Sequence, residues 1–476
     1  MEGVRHRLVL CAFVVAMAML ASACANTGGA PQHDAFGRPG PTSSTTATRA
    51  VRRAGQREIQ PYDSTIRAVV ADLQRFWHTE FPADYGSAYE PVGAFYAYGP
   101  NTNMPVCDGQ RLPYLLLQGN AFYCPEDDFI AWDDIGLFPR LDRVYGRFTI
   151  ALVLAHEWGH AIQQRGGVDA DGVIMEQQAD CFAGAWARHL PKTAAGSGLS
   201  LDPADLDGAV AGLIGFRDPV GLTPATEGSH GTGFDRVRAF QEGYADGVER
   251  CVAYEDDPPE LVGLAFPDLR SRLFGGDAPF SKVVPSVVAG LEGCCWLSSS
   301  EPIAVKRIDG AGTASCPVTP IGVEGMPTDD LSFCPTDRTV RWRQDAIRSI
   351  YDEVGDFAVA TLFAELWATV KGDHPWAETA VSPRRAICLA GDWARAQYDA
   401  TPHGSSDEMP TYKPVFGTSA EFVPPSGHLT LSPGDLDEAV QSLLGAGSAA
   451  RSTVGGGPFA RVDAFRVGFF QRSTAC

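Results

Sequence analysis

The sequence predicts an α+β protein built as two tandem, mostly helical domains, each with a small sheet, the second a degenerate copy of the first. Three observations carry that reading. Residues 148–188 contain AHEWGH followed by EQQADCFAGAWAR, and residues 357–395 contain AELWAT followed by PRRAICLAGDWAR. Further segments recur in the same order: LDPADLDGAV (201–210) with LSPGDLDEAV (431–440), and FDRVRAFQEGYADGVERC (234–251) with FARVDAFRVGFFQRSTAC (459–476) without a gap. In each half, short apolar or alternating runs precede the long helical stretches. A period this long means tandem domains rather than a solenoid. The domains are placed at 61–255 and 260–476.

The elements follow in order. Ile66, Val69, Val70, Leu73 and Phe76 recur at helical spacing, so 62–78 is expected to be a helix. Runs 91–98, 113–118 and 128–133, bounded by Pro, Gly and Asp, read as strands. From Asp142 to Gln164 there is no proline, and Gly166-Gly167 follows as a stop signal, which predicts the helix that bears HEWGH. A second helix is expected from Val173 to Leu190. A third starts after Asp202-Pro203, an N-cap followed by proline in the first turn. A fourth spans Phe234 to Val248.

Acidic residues outnumber basic ones, 58 to 38, for a formal charge of −20, which opposes binding to nucleic acid and anionic headgroups. Arg5, His6 and Arg7, then an apolar run from Leu8 to Leu20, then Ala21-Ser22-Ala23-Cys24, predict an export signal over 1–24. The reading preferred here is a lipobox with Cys24 lipidated, and residues 25–60 as a flexible tether to the cell membrane; the alternative is plain secretion. Ten cysteines remain after Cys11 and Cys24, an even number suited to an oxidising compartment. The pairing consistent with both copies is Cys107–Cys124, Cys181–Cys251, Cys316–Cys334 and Cys388–Cys476. Cys294 and Cys295 are left over, for a vicinal bond or an external partner.

His156 and His160 are four apart on a helix, on one face and one turn apart. Two imidazoles so placed can bind Zn²⁺, with Glu157 beside them as general base. Glu176 and Asp180 are also four apart, on the next helix. A catalytic zinc takes three protein ligands and keeps a fourth position open, so Glu176 is expected as the third ligand. Asp180 is expected to accept from an imidazole N–H and fix its tautomer. The second copy loses the set together: His156 aligns with Glu365, His160 with Thr369, Glu176 with Pro383 and Asp180 with Ile387. It keeps Trp367, Cys388, Gly391 and Trp393, so the shared residues read as scaffold and the lost ones as chemistry. One zinc per chain is expected, and apolar packing where the second copy's site was.

HEWGHAIQ, EQQADCFAGAWA and HGTGFDRVRAFQEGY together are similar to the neutral zinc metallopeptidases of bacteria, over residues 61–251. The resemblance implies a zincin-like domain, a hydrolase of peptide bonds with a peptide or protein as substrate, ligands His156, His160 and Glu176, and Glu157 as base. His230, in a His-Gly that the family places before its Arg-Val-rich helix, is read as a donor to the developing oxyanion. A strand near 128–133 is expected to pair with an extended substrate, by analogy with zincins. With its signal and tether the chain resembles actinobacterial lipoprotein metallopeptidases. The reading of a different class is a non-catalytic envelope scaffold with a structural or vestigial zinc, its second domain holding another envelope protein.

Overall fold

The computed structural model describes residues 52–53, 60–102, 104–191, 199–222, 228–266, 269–273, 275–293, 303–309, 316, 320–323, 326–371, 381–401, 429–445 and 456–476. The export signal with Cys24, nearly all of the tether, and Cys294 and Cys295 lie outside them. Among the described residues no helix is long and apolar enough to cross a membrane. The chain falls into two compact units, residues 1–205, 224–230 and 239–260 in one, and 206–223, 231–238 and 261–476 in the other. Residues 206–223 and 231–238, which the repeat assigns to the first half, thus group with the second.

In the first unit, helix α1 runs Asp63–Tyr85. It continues past the expected end at 78 because Phe81 is buried, and it stops at Gly86, whose φ of 67° gives the left-handed cap. Strands β1 (Arg52–Arg53), β2 (Ala94–Tyr98), β3 (Ala121–Cys124) and β4 (Phe129–Asp133) form a sheet of order β1-β2-β4-β3. β2 runs parallel to β4, and β3 runs antiparallel to it. The expected strand 113–118 is not one. Tyr114–Leu117 is a single helical turn, α2, after Pro113. The hydroxyl of Tyr98 donates to the carbonyls of Leu117 and Asn120, which holds that turn against the sheet. The neighbouring strand is instead β3, closed at its end by the Cys107–Cys124 disulfide.

The expected helix from 142 is two helices, α3 (Phe138–Val144) and α4 (Phe148–Gly166). Gly146, at φ 93°, breaks them. α4 is followed by α5 (Gly172–His189), α6 (Pro203–Gly215), α7 (Gly233–Asp246) and α8 (Val248–Val252). Asp202 caps α6 by accepting from the Asp205 N–H, while Asp205 accepts from the Asp202 N–H. Ile150, Leu154, Trp158, Ile162, Phe182 and Trp186 are fully or almost fully buried, and place α4 and α5 at the centre of the unit.

The second unit carries α9 (Leu269–Leu273), α10 (Phe280–Gly293), β5 (Ala304–Ile308), β6 (Ile321–Gly322), β7 (Leu331–Cys334), β8 (Thr339–Arg343), α11 (Gln344–Glu353), α12 (Asp356–Lys371), α13 (Pro383–Ala400), α14 (Asp435–Leu443) and α15 (Pro458–Gln471). Its sheet has the order β5-β8-β7-β6, with β5 parallel and β7 antiparallel to β8. Leu331 pairs with Trp342 and Cys334 with Thr339, the register in which Ala121 pairs with Trp132 and Cys124 with Phe129. All four expected disulfides outside 294–295 are formed. The protein is α+β.

Candidate metal centre

α4 and α5 cross closely enough to bring two helix faces into one site. Gly159 permits it, since a Cβ there would meet the Cα of Ala179 at 2.7 Å. The crossing sets His156 and His160 of α4 against Glu176 and Asp180 of α5. Behind α5, a Cβ at Gly184 would collide with the carbonyl of Phe240, so residues 239–246 also pack tightly on it. The Cys181–Cys251 bond then ties α5 to α8.

Each histidine is oriented from behind. His156 Nδ1 lies 2.8 Å from Asp180 Oδ1, a carboxylate with no exposure. A carboxylate accepts, so the Nδ1–H donates and Nε2 keeps its lone pair. His160 Nδ1 lies 2.8 Å from Gln163 Oε1. The Gln163 amide is fixed by its own partners, since Nε2 donates to the Met175 carbonyl at 2.6 Å and to Gln178 Oε1 at 3.0 Å. Its oxygen therefore faces the ring, and His160 too presents a bare Nε2. Gln178 is anchored in turn, donating to the carbonyl of Cys251.

Both bare nitrogens point at one carboxylate. His156 Nε2 is 3.2 Å from Glu176 Oε2, and His160 Nε2 is 3.5 Å from Glu176 Oε1. One donor atom from each of the three lies within 4.8 Å of the others, and Glu176 Oε2 is buried with no hydrogen-bond partner. A carboxylate facing two imidazole nitrogens in a buried place is settled by positive charge, either protons on the rings or a metal ion between them. Burial works against a charged His156, yet Asp180 and Glu176 push it up to about 10. Burial also opposes a raised His160, which Glu176 nevertheless lifts. Glu176 is held well below the usual carboxylate range by His160 and His230 despite its burial. The donor set fits zinc. Two imidazoles and a carboxylate are zinc ligands, and ~3.3 Å is the ligand spacing of a tetrahedron with bonds of ~2.0–2.1 Å.

Glu157 is buried on α4 between His156 and His160 in the chain. His230, half-exposed, reaches to 3.9 Å from Glu176 Oε2, and its carbonyl accepts from Gln177 Nε2. The structure thus brings together His156, Glu157, His160, Glu176, Asp180 and His230. It adds Gln163 and Gln178, which sequence reasoning missed. The signal for Gln163 was its place three residues after His160, on the same helix face.

The decisive comparison concerns the whole first half. The family model described as "Putative neutral zinc metallopeptidase" matches residues 16–253, half of the chain. The chain belongs to this family. Similar curated members are the uncharacterized proteins Rv2575 of Mycobacterium tuberculosis and Mb2605 of Mycobacterium bovis, each 32% identical over 152 residues, 26% of this chain and 52% of theirs. The chain spans about half the length of these relatives. The uncharacterized protein YpfJ of Escherichia coli is 24% identical over 239 residues, 44% of this chain and 75% of its own. No solved structure matches the chain.

The second unit handles the corresponding positions differently. Among the described residues no metal-capable group includes Glu365, Thr369, Pro383 or Ile387. Thr369 turns its hydroxyl to the carbonyl of Glu365, Pro383 opens α13, and Ile387 is fully buried. The expectation of apolar packing is met only in part. Glu365 is buried as well, and Arg461 Nη2 stands 3.8 Å from its Oε2. Two other clusters of possible ligands need no metal reading. Cys107 and Cys124, beside Glu126, are disulfide-bonded. Asp277, Asp356 and Glu438 are three carboxylates with no further ligand type among them.

Proposed function

We propose that this protein is a zinc-dependent peptidase of the cell envelope, exported and held by a lipid on Cys24, with one catalytic centre in the first unit. The observation that carries the reading is the convergence of His156 Nε2, His160 Nε2 and Glu176 on one point, with Glu157 next to His156 in the chain. These three residues would hold the zinc. Bound there, zinc acts as a Lewis acid that makes a water more acidic and polarises the scissile carbonyl. Glu157 takes the proton from the attacking water and passes it to the leaving amine. His230, at the rim, donates to the carbonyl oxygen as negative charge develops on it. Asp180 and Gln163 keep the two rings turned toward Glu176.

The substrate is expected to lie along β3 rather than 128–133. β4 is paired on both sides, whereas β3 is the last strand of the sheet among the described residues and offers its outer backbone groups. β3 packs on α4, and Arg165 of α4 donates to the hydroxyl of Tyr123. The second unit, lacking the ligand set, is assigned a supporting or partner-binding role. Glu157 separates this reading from that of a non-catalytic scaffold, since a structural zinc needs no base beside it. The test is Glu157→Gln in the full chain. Zinc content should stay at the wild-type level while peptide hydrolysis falls about 10²–10⁴-fold. Loss of zinc together with activity would make Glu157 a structural residue and end the proposed mechanism.

A further inference from the structure

Three large apolar side chains stand in solvent around one short stretch of the first unit: Leu115 at 68%, Leu116 at 40% and Ile135 at 53% exposure. Single exposed leucines need no explanation. These are different because one buried carboxylate fastens together the two segments that carry them. Asp133, with no exposure, accepts from the Tyr114 hydroxyl, from the Gly119 N–H, and from the N–H groups of Ile135 and Gly136. That one side chain fastens both ends of α2 to the turn after β4. Tyr98 adds a second clasp through the Leu117 carbonyl. The turn is thus fixed by buried hydrogen bonds while its leucines face outward, and such cost in polar organisation is not needed for a surface loop.

Its position ties it to the centre described above. α2 leads through three residues into β3, the free edge of the sheet. β3 in turn packs on α4, the helix that carries His156, Glu157 and His160. The apolar group therefore sits at the start of the strand that would receive the substrate backbone and that packs on the histidine-bearing helix.

Resting on the peptidase reading, we infer that Leu115, Leu116 and Ile135 form an apolar subsite, and that the preferred substrates are extended segments carrying a bulky apolar side chain close to the scissile bond. An occupant bound along β3 would have its backbone paired by the strand and its side chain covered by the leucines. Half-covering a leucine-sized side chain in this way shifts selection on the order of tenfold.

The experiment uses the full-length, zinc-loaded protein and quenched peptides that differ only in one apolar or polar residue scanned along the sequence. The wild type should favour leucine or phenylalanine over serine or asparagine at one position. The double variant Leu115→Ser, Leu116→Ser, and separately Ile135→Ser, should lower the apolar-to-polar ratio of kcat/KM on the order of tenfold. Zinc content and Tm serve as controls for folding. Hydrolysis with no apolar preference, or a ratio unmoved by both variants, overturns the subsite and leaves the peptidase reading standing. A zinc-loaded wild type that cleaves no peptide overturns both.

Discussion

Replacing Gln163 by leucine should weaken zinc binding although Gln163 is not a ligand. The side chain is 1% exposed and accepts from His160 at 2.8 Å, so its removal frees the ring to rotate and to change tautomer. Loss of such a partner typically costs 10–100-fold in metal affinity, about 1.4–2.7 kcal/mol. The metal-free protein should suffer separately. Gln178 Oε1, on a residue equally buried, loses its donor, at about 1–3 kcal/mol. Gln163→Glu divides the two effects. It keeps an acceptor for His160 and removes the donor to Met175 and Gln178, so zinc affinity should stay within a few-fold of wild type while stability falls. Competition against a chromogenic chelator reads the affinity, and urea unfolding of the stripped protein reads the stability. A leucine variant that binds zinc as tightly as wild type would refute the claim that Gln163 orients His160.

Other consequences can be checked on the same preparations. Cys181→Ser with Cys251→Ser opens a loop of 70 residues, which the chain-entropy model values at about 4 kcal/mol; a loss below 1 kcal/mol in urea unfolding under oxidising conditions contradicts it. Zinc stoichiometry by atomic absorption should be one per chain, and two would restore a site to the second unit. In that unit Asp277, Asp356 and Glu438 bring carboxylate oxygens within 4.8 Å of one another, with no cationic side chain paired to them among the described residues. Burial, with Asp277 beside it, pushes Asp356 up to about 7, and burial with Asp435 and Asp356 also raises Glu438. The folded state then keeps protons that the unfolded chain releases near pH 4, so this contribution is full below about pH 4 and is lost as pH rises, through about 7 for Asp356 and on towards about 11 for Glu438. Glu438→Gln should flatten that slope and raise stability at pH 8; a variant less stable at pH 8 than wild type shows that the charge is wanted there.

Much of this was legible because helix geometry is local. HEWGH and the Glu-Asp pair carry their spacing in the sequence, and a period of 3.6 fixes which side chains share a face. The disulfides were legible for another reason, that the two halves carry cysteines at corresponding places in their similar segments. What stayed hidden depended on partners distant in the chain. Residues 113–118 look like a strand by composition, but Tyr98, far upstream, captures the carbonyls of Leu117 and Asn120 and turns them into a helical clasp. No local pattern says which of two antiparallel neighbours ends the sheet, so β4 could be mistaken for its edge. Gln163 was hidden because glutamine on a helix is ordinarily a solvated residue, and only the neighbouring α5, through Met175 and Gln178, turns it into an acceptor for His160.

The two units show two ways of answering the same electrostatic demand. In the first, a buried carboxylate, Glu176, faces two imidazole nitrogens, and either protons on the rings or a metal ion between them settles the arrangement. In the second, the residue aligned with His156 is itself a carboxylate, Glu365, and the positive charge is carried by the chain, on Arg461. Arg461 aligns with Arg236, whose guanidinium donates instead to the carbonyl of Phe216. The arginine therefore needed no invention, only a new acceptor within reach. A guanidinium that is always charged and already buried offers no open position to a substrate or a water. It removes the requirement for metal and the chemistry together, and keeps the helices around it packed. If residues 260–476 are a copy of the first half, the pair of Glu365 and Arg461 stands where the first half carries its histidines and carboxylates, an ion pair that fills the place and leaves the tryptophans, the close glycine contacts and the disulfides around it intact.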